Sequence, residues 1–314
     1  MSAENTAVIA AAYAVCRGIA KREAKNFYYA FRVLPKHKSD GMCAVYAFMR
    51  KADDLADDET MTLEARQEAM TEWTAAWRAS RMEATSDPVF LALNDTQRRF
   101  EIADDLLEQL VAGTTLDLSP QPAGVQVYGL DSGRTVQVYE SFAALQHYCY
   151  LVAAVVGLVC IRIFGYGDRR AEQFAVDTGT AFQLTNILRD VKEDAERGRI
   201  YLSADLLREH GVTPERILAL SAGAAVGRGD LALLNGVEKH AQHLYRSADA
   251  LIPLLDPDAR PAMQVMVRIY RGLLDRIAAD PGAVFRRRVS VPASRKLAIL
   301  FVGALQSLKA RLFA

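Results

Sequence analysis

The chain has 314 residues, 51% of them hydrophobic, and its 38 basic and 38 acidic residues cancel to a formal net charge of zero. That composition supplies a sizeable core, and length alone permits one large domain or two. No basic patch with interleaved aromatics offers a nucleic-acid footprint, and the 4 cysteines, at Cys16, Cys43, Cys149 and Cys160, have neither zinc-site nor disulfide-framework spacing.

The N-terminus carries Glu4 and no basic n-region, so it does not read as a signal peptide. Residues 6–32 predict a helix with Val8, Ile9, Tyr13 and Ile19 on its apolar side, ended by Leu34-Pro35. A second helix is expected over 39–57 and a third over 62–82, with Trp73 and Trp77 one turn apart as core residues. Asp87 as N-cap and Pro88 at the first helical position open the next. Pro120, Pro122, Gly124, Gly129 and Gly133 then interrupt the pattern. Val125–Tyr128 and Thr135–Val138 around Asp131-Ser132-Gly133 read as a hairpin, an insertion at about 117–136 on a helical body.

Tyr148 to Ile161 is almost wholly apolar. A membrane span needs about 20 such residues, and His147 and Arg162 bracket a shorter run, so a central buried helix is expected, with Gly157 permitting close packing or a local break. Ser221–Asp230 reads as a connector, followed by helices over 231–252 and 258–279. The apolar stretch Leu297–Leu305, bordered by Arg295, Lys296, Lys309 and Arg311, either packs on the body or rests on a membrane surface. The fold class expected is an all-α helical bundle, one domain over residues 1–314, in a cytoplasmic protein without a transmembrane span.

Two distant segments carry acidic pairs at helical spacing: Asp53 with Asp57, and Asp190 with Asp194. Residues i and i+4 share a helix face, and like charges there cost a few tenths of a kcal/mol each. Mg²⁺ offsets that cost: it takes one or two carboxylates and completes its shell with water and substrate phosphates. Tyr46 and Arg50 precede the first pair, and Gln183, Asn186 and Arg189 share a side with the second. Guanidinium groups bind phosphate oxygens bidentately. The similar pair Asp104 and Glu108 lies on an ordinary amphipathic pattern of Ile102, Leu106 and Leu110 and reads as a solvated face.

The stretches Asn26–Phe31, Ala44–Arg50, Tyr148–Ala153, Gln183–Asp194 and Arg197–Leu202 resemble the squalene/phytoene synthases, the head-to-head prenyl synthases. The likeness runs from about residue 10 to the C-terminus and is strongest to the presqualene diphosphate synthases of bacterial hopanoid pathways. It implies a class I isoprenoid synthase bundle with a central cavity. It implies Mg²⁺ on Asp53, Asp57, Asn186, Asp190 and Asp194. Lys25, Tyr46, Arg50, Gln183, Arg189, Tyr270 and Arg288 would hold diphosphates, and Tyr148 would steady a cation or relay a proton. Phe27, Phe31, Phe182 and the helix that includes Val152 would form a dry wall. The implied reaction joins two farnesyl diphosphates into presqualene diphosphate, with NADPH entering only if it continues to squalene; no glycine-rich dinucleotide fingerprint is present. Ala153-Ala154-Val155-Val156 stands where many members have Ala-Gly-Thr-Val. The alternatives are a phytoene synthase using geranylgeranyl diphosphate and a non-catalytic assembly protein. Phe31, with Cys43 opposite, is the implied gate on chain length.

Overall fold

The computed structural model describes residues 3–24, 26–119, 122–130 and 133–312. The N-terminal run divides into two helices, α1 (Ala3–Glu23) and α2 (Asn26–Val33), rather than the single one expected over 6–32. The division has a packing reason. α1 lies against α3 (Lys36–Ala56) and α5 (Pro88–Arg99), whereas α2 lies against α3 and α13 (Arg260–Ala279). A straight helix could not serve both.

Between α3 and α5 runs α4 (Leu63–Ala79). Its Trp73 and Trp77 pack on Phe48, with ring centroids 4.7 and 5.1 Å away, so both tryptophans are core residues as the spacing predicts. The Asp87 carboxylate accepts from the Val89 N–H at 2.7 Å and caps α5. α6 (Asp104–Thr115) carries the third acidic segment, and it is structural: Glu108 pairs with Arg78 and Arg81 at 2.7 and 3.0 Å, and Asp104 pairs with Arg81 at 2.9 Å.

The expected hairpin forms from β1 (Val125–Gly129) and β2 (Thr135–Tyr139), with Val125 opposite Tyr139. Its role is larger than an ornament. β2 also pairs in parallel with β3 (Arg199–Ile200), Gln137 facing Arg199, which fastens the insertion to the chain just after the second acidic pair.

α7 (Phe142–Cys149), a π turn at Tyr150–Ala154 and α8 (Val155–Phe164) make one continuous helical run. By length and composition Phe142–Phe164 could cross a membrane, contrary to the shorter run read between His147 and Arg162. In the fold it is the central helix, packed against α6 and α9 (Arg170–Glu196). Its irregularity falls at the π turn and not at Gly157. Glycines on both neighbours grip that turn: a Cβ on Gly113 would lie 2.7 Å from the Leu151 carbonyl oxygen, and one on Gly179 2.7 Å from that of Ala153. Gly157 is the close approach expected: a Cβ there would lie 3.0 Å from the Ala175 carbonyl oxygen. π turns recur at functional sites, and here the turn presents Val152 and Ala153 to a cavity.

The short helices α10 (Ala204–Glu209) and α11 (Pro214–Ser221) lead to α12 (Arg228–Leu251), the long partner of α9. α13 and α14 (Ala293–Leu312) complete the bundle. Buried Lys38 joins three elements, donating to the Phe164 carbonyl at 2.8 Å and to Asp258 and Asp256 at 2.6 and 3.0 Å.

Candidate active site

A cavity of about 430 Å³ opens between α2, α3, α8, α9 and α13. Its polar wall residues include Tyr46, Arg50, Asp53, Gln183, Asn186 and Tyr270; most of the rest is apolar, with Phe27, Phe31, Met42, Val152, Phe164 and Phe182 among it. A second cavity, also about 430 Å³, shares Phe27, Tyr46, Met266 and Tyr270 with the first and adds Arg189, Arg288 and Lys296. A third, about 200 Å³, shares Met49, Asp53 and Val152 with the first and adds Asp57 and Tyr148. The second cavity thus sets Arg189, Arg288 and Lys296 against one carboxylate, Glu23, whereas the third is lined by the carboxylates of Asp53 and Asp57.

The first acidic pair closes α3. Asp53 is half-buried, and Asp57 is the exposed residue that ends the helix. The Asp57 N–H still donates to the Asp53 carbonyl at 2.9 Å, so the last turn keeps helical pitch and both carboxylates stay on one side. Arg50 pairs with Asp54 at 2.6 Å, a residue that the DxxxD reading passes over, and its Nε is buried without a hydrogen-bond partner.

The second pair lies on α9. Asp190 accepts from Arg189 Nε at 2.8 Å and from Arg288 Nε at 2.9 Å. Burial, reinforced by the charge of Asp190, pushes the Asp194 carboxyl up to about 7. Asn186 donates to Gln183 Oε1 at 3.3 Å, while its own Oδ1 is buried without a partner. Asp190 and Asp194 stand away from the central cavity wall: Arg189 and Arg288 cover the first, and the second lines a crevice with Arg199 and Tyr201. Lys25 falls outside the described residues.

Among the described residues, no three His, Cys, Asp or Glu side chains form a metal-holding group. Each acidic segment instead offers two carboxylates, as suits a hard cation that shares its shell with water and phosphate. The orphaned Asn186 oxygen beside Asp190 is a neutral ligand of the right kind, so these donors fit Mg²⁺.

Tyr148 sits in a tyrosine cluster. Its ring centroid is 5.1 Å from that of Tyr201 and 5.3 Å from that of Tyr139, and its hydroxyl is 3.4 Å from the Tyr201 hydroxyl. Sequence reasoning missed Tyr139, because only the pairing of β2 with β3 brings it here. Tyr270 stacks on Phe182 at 4.3 Å and meets Phe27 at 5.9 Å. Phe31 is only 4% exposed and packs edge-on against Tyr46, its ring centroid 6.4 Å away. Cys43 is fully buried and does not line that cavity, where Met42 takes the wall.

The family model described as Squalene/phytoene synthase matches residues 20–295. The chain belongs to the squalene/phytoene synthase family. Members are head-to-head prenyltransferases that act on prenyl diphosphates, and an apolar cavity flanked by carboxylates and arginines is consistent with that. The phytoene synthase of Mycobacterium tuberculosis is 34% identical over 91% of this chain and 88% of its own. The 15-cis-phytoene synthase of Synechocystis is 30% identical over 98% and 88%. Among solved structures, a dehydrosqualene synthase aligns with TM-score 0.76 at 28% identity, covering 96% of this chain and 98% of that one. Squalene synthase HpnC from Alicyclobacillus acidocaldarius shares the fold, with TM-score 0.75 at 24% identity over 88% and 95%.

Proposed function

We propose that this squalene/phytoene synthase condenses two farnesyl diphosphates head to head, 1′–1, into presqualene diphosphate. C1 of one substrate loses its diphosphate and bonds to the C2–C3 double bond of the other. Loss of a proton closes the cyclopropane, and the second diphosphate is retained. Asp53, Asp57, Asn186, Asp190 and Asp194 would hold Mg²⁺, which neutralises charge developing on the leaving diphosphate. Arg50, Arg189, Arg288, Tyr46, Gln183 and Tyr270 would orient the diphosphates, the arginines exchanging their carboxylate partners for phosphate oxygens. Phe27, Phe31, Phe182 and Val152 exclude water from the cation, and aromatic faces favour it. Tyr148, which lines one cavity with Asp53 and Asp57, would serve as proton relay or cation stabiliser.

The observation that carries the C15 choice is Phe31, a bulky ring buried on the cavity wall. A ring there limits the length of tail the cavity accepts. The phytoene synthases among the relatives support a second reading, in which the substrate is geranylgeranyl diphosphate. An assembly protein that had lost catalysis would not need both carboxylate pairs, and both are intact. The test is turnover of farnesyl diphosphate with Mg²⁺ by wild type, Asp53→Asn and Asp190→Asn. The two variants should retain the helical circular dichroism and lose nearly all product; normal turnover in either would remove the metal roles.

A further inference from the structure

The last helix turns its most apolar face outward. Leu297, Phe301, Leu305 and Leu308 are 63%, 66%, 46% and 57% exposed. Their spacing of four, four and three places them in one stripe along α14. The helix packs inward through small residues instead. A Cβ on Gly303 would lie 2.4 Å from Val265 Cγ2, and the buried Ser307 hydroxyl donates to the Val33 carbonyl at 2.6 Å. An amphipathic helix ordinarily buries its apolar stripe against the core. A continuous exposed stripe marks an interaction surface, whereas single exposed hydrophobics do not.

Charge decides the partner. Asp280 is the last acidic residue of the sequence, so α14 carries Arg295, Lys296, Lys309 and Arg311 and no carboxylate, in a chain whose net charge is zero. We propose that α14 docks its outer face on an anionic lipid bilayer, lying in the interface with the leucine and phenylalanine side chains among the acyl chains. A basic amphipathic helix of this kind gains both from apolar burial and from attraction to acidic headgroups. A second copy is the poorer occupant, because symmetric pairing of this face would bring two positive segments together. The second cavity lies against the segment that enters α14, sharing Ser290, Val291 and Lys296 with it. The hydrocarbon tail of a diphosphate product released there would meet lipid, a use that rests on the proposed reaction; the docking does not.

Vesicle flotation without substrate tests the docking apart from catalysis. Wild type should float with vesicles of phosphatidylcholine and phosphatidylglycerol in equal parts. It should stay in solution with phosphatidylcholine alone, and bind less as salt rises. The double variant Phe301→Ser with Leu305→Ser, checked as folded by circular dichroism, should bind the mixed vesicles at least about tenfold more weakly. Wild type remaining unbound to the mixed vesicles, or the variant floating as well as wild type, would overturn the proposal. So would light scattering that shows a wild-type dimer and a variant monomer, which would assign the face to a second copy.

Discussion

Arg288 Nε donates to Asp190 Oδ1 at 2.9 Å, joining residues 98 apart in sequence. Arg189 holds the same carboxylate from its own helix at 2.8 Å. A carboxylate flanked by two guanidiniums matches the charges a bound diphosphate and its cation would bring, with the partners exchanged. In the proposed reaction both arginines turn to phosphate oxygens and Asp190 is released to the metal.

Arg288→Ala should therefore lower kcat/KM by roughly 10–100-fold, the range of one charge-assisted hydrogen bond. Its effect on stability should stay below about 1 kcal/mol, because more than half of the Arg288 side chain is exposed and exposed pairs contribute little. Steady-state kinetics and a thermal melt measure both. An unchanged kcat/KM would take Arg288 out of the site.

Asp194 has a pH signature. Burial and the charge of Asp190 hold its carboxyl at about 7 against an ordinary 3.8. Through the window between those values the folded chain keeps a proton that the unfolded chain has released, so stability falls as pH rises and the full penalty applies above it. Asp194→Asn removes the titration. Without metal, the variant should melt higher than wild type at pH 8, by about 2–4 °C, and close to it at pH 4, while losing turnover. Melting curves across pH check this, and a variant that melts lower at pH 8 contradicts it.

Tyr148→Phe keeps the ring in its cluster and removes the hydroxyl. If that hydroxyl moves the proton, the rate should fall by about 10²–10⁴, the span of general acid–base effects. The Tyr201 hydroxyl at 3.4 Å is too distant for a strong hydrogen bond, so it should not substitute fully. An unchanged rate would leave Tyr148 only its ring face.

What the sequence reveals here depends on how local each cause is. Asp53 with Asp57, Asp190 with Asp194, the Asp87–Pro88 helix start and the hairpin around Gly133 are legible because each rests on spacing within a few residues. The break near Ala24 is not, since nothing in an alanine-rich run announces that α2 must leave α1 to reach α13. The π turn at Tyr150–Ala154 answers to Gly113 and Gly179 on other helices. Tyr139 is held at Tyr148 by a parallel pairing with residues 62 positions on. Cys43 shows the same limit at finer scale: its place on α3 is evident, but that it is buried outside the cavity lining depends on how the other helices pack around it.

Phe31→Ala separates packing from gating. Phe31 is buried, so truncation costs about 3–5 kcal/mol if the ring is purely core. If the ring also limits tail length, the variant gains activity with geranylgeranyl diphosphate relative to farnesyl diphosphate, read as the ratio of product masses. Met42, which shares the cavity wall, is the second position where a smaller side chain should add to the shift. A variant that is only less stable, with its substrate ratio unmoved, would leave Phe31 as core.

The chain-length claim itself is tested most directly in the unaltered protein. Purified wild type is incubated with Mg²⁺ and either farnesyl or geranylgeranyl diphosphate, and the extracted products are identified by mass. The account predicts presqualene diphosphate from the C15 substrate and little or no turnover of the C20 substrate. Preferential conversion of geranylgeranyl diphosphate to a C40 product would contradict it and make this chain a phytoene synthase.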